Sequence, residues 1–295
     1  MRMMNKNYTI KEYAAVMDER LKKAFPGEKD IVTEAMSYSL EAGGKRIRPV
    51  LTLEFCRLCG GDITEALPLA EAVEMVHTYS LIHDDLPCMD DDDMRRGRPS
   101  CHKQFGEAYA LLAGDGLLTY AFYNIADSEF AKKNPSAAVK AVKILSECAG
   151  KDGMIGGQTI DLLSENKSIS EEELRHMDAL KTGMLIKAAA LLGCVAAGAD
   201  EDKMKAAEEF CDNLGLAFQV VDDILDVEGD ERLFGKPVGS DAQSGKSTYV
   251  TLMGLEKAKQ LAAALTSNAV NALIPFGEQA AFLKELALSL LTRKN

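Results

Sequence analysis

The 295-residue chain predicts an all-α fold, a single domain over residues 1–295 built as a large bundle of about ten helices. Three observations carry this expectation. Apolar residues recur at i, i+3 and i+4 through most of the length. No run of alternating β-branched residues bounded by turn signals occurs, so strands are few or absent. No low-complexity linker, internal repeat or composition break divides the chain, although length alone would allow about two domains. A bundle of this size is expected to place its ligand in a deep central cavity between helices.

The elements follow in order. Helical periodicity marks "YTIKEYAAVMDERLKKAF" from Tyr8, "DIVTEAMSYSLEAGG" from Asp30, "PLAEAVEMVHTYSLIHDD" from Pro68 and "EAYALLAGDGLLTYAFYNIADSEFA" from Glu107. It continues in "AAVKAVKILSECAG" from Ala137, "SEEELRHMDALKTGMLIKAAALLGCVAAG" from Ser170 and "KMKAAEEFCDNLGLAFQVVDDILDV" from Lys203. Ser170 with Glu173 forms a capping box, and Gly43, Gly60 and Gly198 stand where helices would stop. Cys56 and Cys59 make a CxxC in "LTLEFCRLCGG", but no second pair or nearby His completes a zinc site. The segment is apolar at helical spacing, which favours buried structural thiols.

Composition bounds the function classes. The chain is 47% hydrophobic and 27% charged, with 34 Lys and Arg against 46 Asp and Glu for a net charge of −12. That balance argues against general nucleic-acid binding, though not against an anionic small molecule. No run of 18 or more apolar residues indicates a membrane span, and the polar N-terminus lacks a signal-peptide core. Seven irregularly spaced cysteines read as reduced thiols, which points to a cytoplasmic enzyme.

Two acidic clusters stand out. In "FQVVDDILDVEGD", Asp222, Asp223 and Asp226 are three and four apart, so a helix gathers them along one edge. Their neighbours are apolar rather than Lys or Arg, as expected of a mostly buried helix carrying an acidic stripe. In "LIHDDLPCMDDDDMRRGRPS", six aspartates fall within ten positions. On a continuous helix Asp90 would point roughly 120–140° away from Asp84 and Asp85. Pro87 favours a break, and a chain deformed over residues 86–89 lets Asp90 swing back toward Asp84. Carboxylates that converge with no protein cation beside them imply a hard metal. Mg²⁺ takes one or two carboxylates and completes its octahedron with water and phosphate oxygens, so two facing acidic walls suit a bound diphosphate. No EF-hand loop is present. Asp91, Asp92 and Asp93 are expected to be supporting or solvated.

Basic residues alternate with these acids. "GGKRIRP" offers Lys45, Arg46 and Arg48, and "MRRGRP" offers Arg95 and Arg96, whose forks match phosphate oxygens. "GSDAQSGKS" imitates a P-loop, but its spacing is one residue too long and no strand precedes it. Lys236 and Lys246 remain as phosphate-seeking cations. His77 lies two turns before Asp84 on nearly the same face, whereas spacing gives His83, His102 and His176 no such support.

Taken together, "GGKRIRP", "HTYSLIHDDLPCMDDDDMRRGRP", "FGEAYALLAGDGLL", "GGQTIDL", "KTG", "FQVVDDILD" and "GKPVGSDAQSGKSTY" resemble, in order, the trans-prenyltransferases, the head-to-tail isoprenyl diphosphate synthases. The DDLPCMD spacing is similar to that of bacterial farnesyl diphosphate synthases and of plant-type geranylgeranyl synthases. The resemblance covers nearly the whole chain. It implies an isoprenoid-synthase fold, a homodimer, and three Mg²⁺ ions when substrate is bound. It implies direct metal ligation by Asp84, Asp90 and Asp222, with Asp85, Asp223 and Asp226 supporting. By the same resemblance, Arg95, Lys181, Lys236 and Lys246 would hold an allylic diphosphate. Lys45, Arg48, His77 and Arg96 would hold isopentenyl diphosphate without metal, while Thr182, Gln219 and the Lys181 carbonyl would face the developing carbocation.

Tyr79 lies five residues before Asp84, about 7.5 Å down a helix. A prenyl chain anchored at the aspartates would run toward it, and a bulky ring there, beside Ser80, acts as a floor. In the family resembled, an aromatic at this position goes with a C15 product, so farnesyl diphosphate is expected. The alternatives are a geranylgeranyl diphosphate synthase, a terpene cyclase of the same fold, and a non-catalytic helical regulatory subunit or cation binder. A cyclase would not need the isopentenyl site, and a non-catalytic relative would be expected to lose one aspartate cluster.

Overall fold

A computed structural model describes residues 8–27, 30–165, 167–228 and 247–292. Among these, helices dominate, and the sole sheet is a two-stranded antiparallel hairpin. The residues group into two compact units, 1–145 with 189–199, and 146–188 with 200–295. Two of the changeovers fall inside helices rather than linkers, which is why composition does not mark them.

The first unit contains α1 (Ile10–Leu21), α2 (Ile31–Leu40), α3 (Ile47–Leu58) and α4 (Ile63–Asp84). The hairpin of β1 (Met94–Arg95) and β2 (Arg98–Pro99) follows, then α5 (Cys101–Phe105), α6 (Glu107–Ala126) and α7 (Glu129–Lys133). Helix α8 (Pro135–Ala149) leads out of this unit. Helix α4 packs against α1, α2, α3, α6 and α7, and its buried residues encircle it, as expected of a core helix. It starts five residues earlier than Pro68 because Asp62 caps it by accepting from the Thr64 N–H. Two glutamates in this core require partners. Glu71 accepts from Arg20 and Asn124, and Glu74 accepts from Arg46 at 2.6 Å.

The second unit contains α9 (Met154–Ser164), α10 (Glu171–Asp178), a π turn (Ala179–Gly183) and the start of α11 (Met184–Ala196). It continues with α12 (Glu201–Glu228), α13 (Tyr249–Met253), α14 (Leu255–Ala272), a 3₁₀ segment (Ile274–Ala280) and α15 (Ala281–Thr292). Its core is the apolar face of α12, including Leu216, Val220, Val221 and Ile224, against Ala258, Ala262 and Leu265 of α14 and the fully buried Tyr249. The capping box of Ser170 and Glu173 is formed at the start of α10. Gly60 (φ 86) and Gly198 (φ 66) follow the ends of α3 and α11.

Some elements differ from the sequence reading. The helix read through Ala131 breaks after Ala126, and Ser128 caps the five-residue α7. The helix read from Ser170 is continuous but changes to π geometry at Ala179–Gly183. Its span, Glu171–Ala196, is long and apolar enough to cross a membrane by composition, yet 61% of that window is buried inside the protein, as in a core helix. Of the CxxC pair, Cys56 is buried with its thiol toward the Asp62 carbonyl, and Cys59 lies 3.8 Å from Cys194 without a disulfide.

Candidate active site

The first acidic cluster is made by a helix that stops. Asp84 ends α4 and Asp85 is its C-cap. The chain then turns through Pro87, and the Asp90 N–H donates to the Asp84 carbonyl at 2.9 Å. Asp91 adopts a left-handed φ of 49° while its N–H returns to the Leu86 carbonyl. This fold-back brings Asp90 to Asp84, as the proline predicted.

The expectation that no protein cation stands beside these carboxylates is overturned. Asp85 is buried and accepts two bonds from the Arg95 guanidinium, through Nε at 2.9 Å and through Nη2. Arg95 Nη2 also donates to Asp92 at 3.1 Å, and Lys103 pairs with Asp93 at 2.8 Å. Burial raises the Asp85 carboxyl above its ordinary range, and Arg95 opposes that shift. Asp85 and Asp92 are therefore partnered within the chain, whereas the Asp90 side chain is exposed.

The hairpin after the aspartates positions the arginines. Arg95 pairs with Arg98 in register, and Arg96 (φ 53) and Gly97 (φ 75) form its two-residue turn, both left-handed as a tight hairpin of this kind requires. The Arg96 guanidinium donates to the Gly43 carbonyl, and a Cβ on Gly44 would collide with it. The paired glycines of GGKRIRP thus let a guanidinium lie on bare backbone.

Around Arg96 gathers a cationic group. Arg48 is half-buried, and its Nε is buried with no partner among the described residues. Burial pulls Arg48 down to about 10, with Glu74 opposing and Arg96 reinforcing the shift. His77, half-buried on α4, is held well below the ordinary imidazole range by burial and then by Arg48 and Arg96. Lys45 is exposed at the entrance to α3. Arg46 has a different fate. It is 3% exposed and is bonded to Asp18, Glu74 and the Leu40 carbonyl, so it ties α3 to α1 and α4. Tyr79 is buried on α4, and burial with the Asp84 charge pushes its hydroxyl up to about 12. Ser80 beside it donates to the His77 carbonyl.

The second acidic cluster rides an unbroken helix. Asp222 and Asp223 are half-buried and Asp226 is buried along α12, and Asp223 accepts the Tyr249 N–H at 2.7 Å. Gln219 lies one turn earlier on the same helix. Lys181 and Thr182 sit in the π turn, where the ladder widens to i→i+5. Gly157 of α9 lets that turn approach closely, because a Cβ there would overlap the Lys181 backbone nitrogen. Lys181 Nζ donates to Asp161 of α9 at 2.5 Å. Lys236, Lys246 and the P-loop-like run lie outside the described residues, apart from Ser247 at its end.

Three polar residues here were given no role from sequence: Asp161, Asp178 and Tyr249. Asp178 is buried, and its carboxyl is pushed up to about 6 by burial, with Tyr249 opposing and Asp161 adding repulsion. The Tyr249 hydroxyl is raised by burial and by Asp178. A signal was present for Asp178: it lies four residues after Leu174 and next to Met177 on the buried stripe of α10, where an apolar residue is expected.

Among the described residues, no three His, Cys, Asp or Glu side chains are gathered into a ready metal cage. The hard oxygen donors still fit Mg²⁺, which uses one or two carboxylates and fills its shell with water and phosphate oxygens.

The sequence profile of the polyprenyl synthetases matches residues 29–273. The chain is 50% identical over 227 residues to a farnesyl diphosphate synthase of Geobacillus stearothermophilus, covering 77% of this chain and 76% of that one. It is 41% identical over 303 residues to a geranylgeranyl diphosphate synthase of Cyanophora paradoxa, covering 100% of both. A crystal structure of a Helicobacter pylori geranyltransferase, complexed with magnesium and isoprenyl diphosphate, superposes with TM-score 0.83 at 34% identity, covering 98% of each chain. The chain belongs to the polyprenyl synthetase family, and its all-α fold is that of the isoprenyl diphosphate synthases. Its activity is that of a prenyltransferase, elongating prenyl diphosphates.

Proposed function

We propose that this prenyltransferase joins isopentenyl diphosphate to dimethylallyl and then geranyl diphosphate, and stops at farnesyl diphosphate. The observation that carries the C15 product is Tyr79, buried on α4 one and a half turns below Asp84. An isoprenoid chain whose diphosphate is held at the end of α4 runs toward that ring, and a phenol costs about as much to displace as a packed aromatic.

Each chemical task has residues suited to it. Arg48, Arg96, His77 and Lys45 bind the diphosphate of isopentenyl diphosphate directly, and the orphaned Arg48 Nε supports this because an anion would supply its acceptor. Lys181, Arg95, Lys236 and Lys246 bind the allylic diphosphate. Asp84, Asp90 and Asp222 would hold Mg²⁺, three ions with substrate, while Asp85, Asp223 and Asp226 brace them. Bound Mg²⁺ supplies the electrophilic pull on the departing diphosphate.

The allylic C–O bond breaks with its electron pair leaving on the diphosphate. The isopentenyl double bond forms the new C–C bond, and the released diphosphate takes the proton lost next to it. Thr182, Gln219 and the Lys181 carbonyl present oxygen dipoles to the positive charge. Apolar walls exclude water.

The same proposal includes a homodimer and a cytoplasmic setting. Tyr109, Leu112 and Tyr123 are exposed at helical spacing on α6, a face suited to a second copy of the chain. The seven cysteines are all free. A geranylgeranyl product is the second reading, supported by the Cyanophora paradoxa relative. Incubation with Mg²⁺, isopentenyl diphosphate and geranyl diphosphate, followed by sizing of the product, tests both. A farnesyl product supports the first reading, a geranylgeranyl product the second, and no condensation removes both.

A further inference from the structure

His83 was assigned no role by its spacing, and it is not among the residues proposed above to bind metal or diphosphate. We infer that His83 is a specificity-determining residue: its ring props the Tyr79 phenol in place, so the floor that sets product length is a pair of rings. The inference rests on the proposed farnesyl reading and deepens it.

Four observations within the first unit support it. His83 follows Tyr79 by four residues on α4, so the two side chains lie on one face. Their rings meet edge to face, with centroids 5.7 Å apart and planes at 82°. The far side of the imidazole is pinned to α6, where Nε2 lies 3.0 Å from the Leu111 carbonyl. A carbonyl only accepts, so Nε2 carries the proton. Finally, a Cβ on Gly114 would overlap the His83 ring, so the imidazole is seated against bare α6 backbone.

The consequence is mechanical. Tyr79 is itself buried. Its ring is kept from swinging toward α6 by an imidazole that cannot retreat, because α6 backbone lies behind it. Removing the imidazole leaves a ring-sized gap into which the phenol can turn, and a lengthening prenyl chain can then pass. Gly114 is part of the same device, since any side chain there displaces the imidazole.

The test sizes products from dimethylallyl and geranyl diphosphates for wild type, His83→Ala, His83→Gln, Gly114→Ala, Tyr79→Ala and the double variant of Tyr79→Ala with His83→Ala. His83→Ala and Gly114→Ala should raise the C20 to C15 ratio by about tenfold, equivalent to ~1.4 kcal/mol. His83→Gln retains a donor for the Leu111 carbonyl but no ring, and should shift the ratio in the same direction by less. In the Tyr79→Ala background, His83→Ala should add nothing to product length, because the propped ring is gone.

A purely structural His83 would lower melting temperature and turnover while leaving the product C15. Folded variants that make only C15 therefore overturn the inference. If His83→Ala does not fold, Gly114→Ala and His83→Gln decide by the same ratio. A wild type that fails to condense, or that makes C20, instead removes the farnesyl reading on which the inference rests.

Discussion

Asp84 and Asp85 close a helix that then folds back on itself, whereas Asp222, Asp223 and Asp226 ride a helix that runs on to Glu228. The first arrangement needs outside help: a proline, a left-handed Asp91, a returned Asp90 N–H and the Arg95 clamp on Asp85. The second takes its spacing from helical periodicity, and the Tyr249 N–H donates to Asp223. Acidic geometry built on a broken helix thus depends on distant cations. On a continuous helix the spacing itself is set locally.

The largest expected effect treats the clusters alike. Asp84→Ala or Asp222→Ala should each cut turnover by roughly 10³-fold, about 4 kcal/mol, and chelation with EDTA should abolish activity until Mg²⁺ is restored. A tenfold loss in either variant would mean that cluster is not a ligand wall.

The next effect separates them. Arg95→Gln leaves the buried Asp85 without its cation and should cost about 3 kcal/mol of stability. Burial already raises the Asp85 carboxyl, so the unpartnered residue is tolerated better when protonated, and urea unfolding should show a smaller loss at pH 5 than at pH 8. Equal losses at both pH values would exclude the buried-charge explanation.

A smaller effect belongs to the second unit. Asp178 titrates near 6 folded against 3.8 for the free side chain, so the folded protein holds the proton more tightly. That stability is fully present below about pH 4 and is lost as pH rises through about 6. Asp178→Asn should therefore match wild type near pH 4 and exceed it by about 2–3 kcal/mol at pH 7.5, read by chemical denaturation. The smallest effect is local to α10. Ser170→Ala removes the cap and should cost about 1 kcal/mol without changing the product formed, which melting and product sizing together check.

Much of this was readable from residues because it is local. Pro87 announced the break, the Asp222–Asp226 spacing announced the stripe, and Ser170 with Glu173 announced a helix start. What stayed hidden depends on partners far along the chain. Nothing near Arg46 says that it will be buried against Asp18 and Glu74 while Arg48, two residues on, has an Nε without a partner among the described residues. Nothing near Asp85 says that Arg95 will return across a hairpin turn to claim it. The helices after residue 247 are weakly marked in the sequence because α14 is rich in alanine, which gives a faint apolar stripe even though Ala258, Ala262 and Ala269 are buried.

The π turn at Ala179–Gly183 also bears on how this chain can change length. It behaves as a one-residue insertion that the helix absorbed without breaking. Deleting Ala179 would let the segment relax to ordinary α geometry and keep the helix intact. Because the wider turn already absorbs that residue, the faces of α10 and α11 would keep their register. Leu174, Met177 and Asp178 would stay buried after that deletion, whereas deleting a residue from the regular part of α10 would turn the residues before it by about 100° and carry Leu174 out of the core.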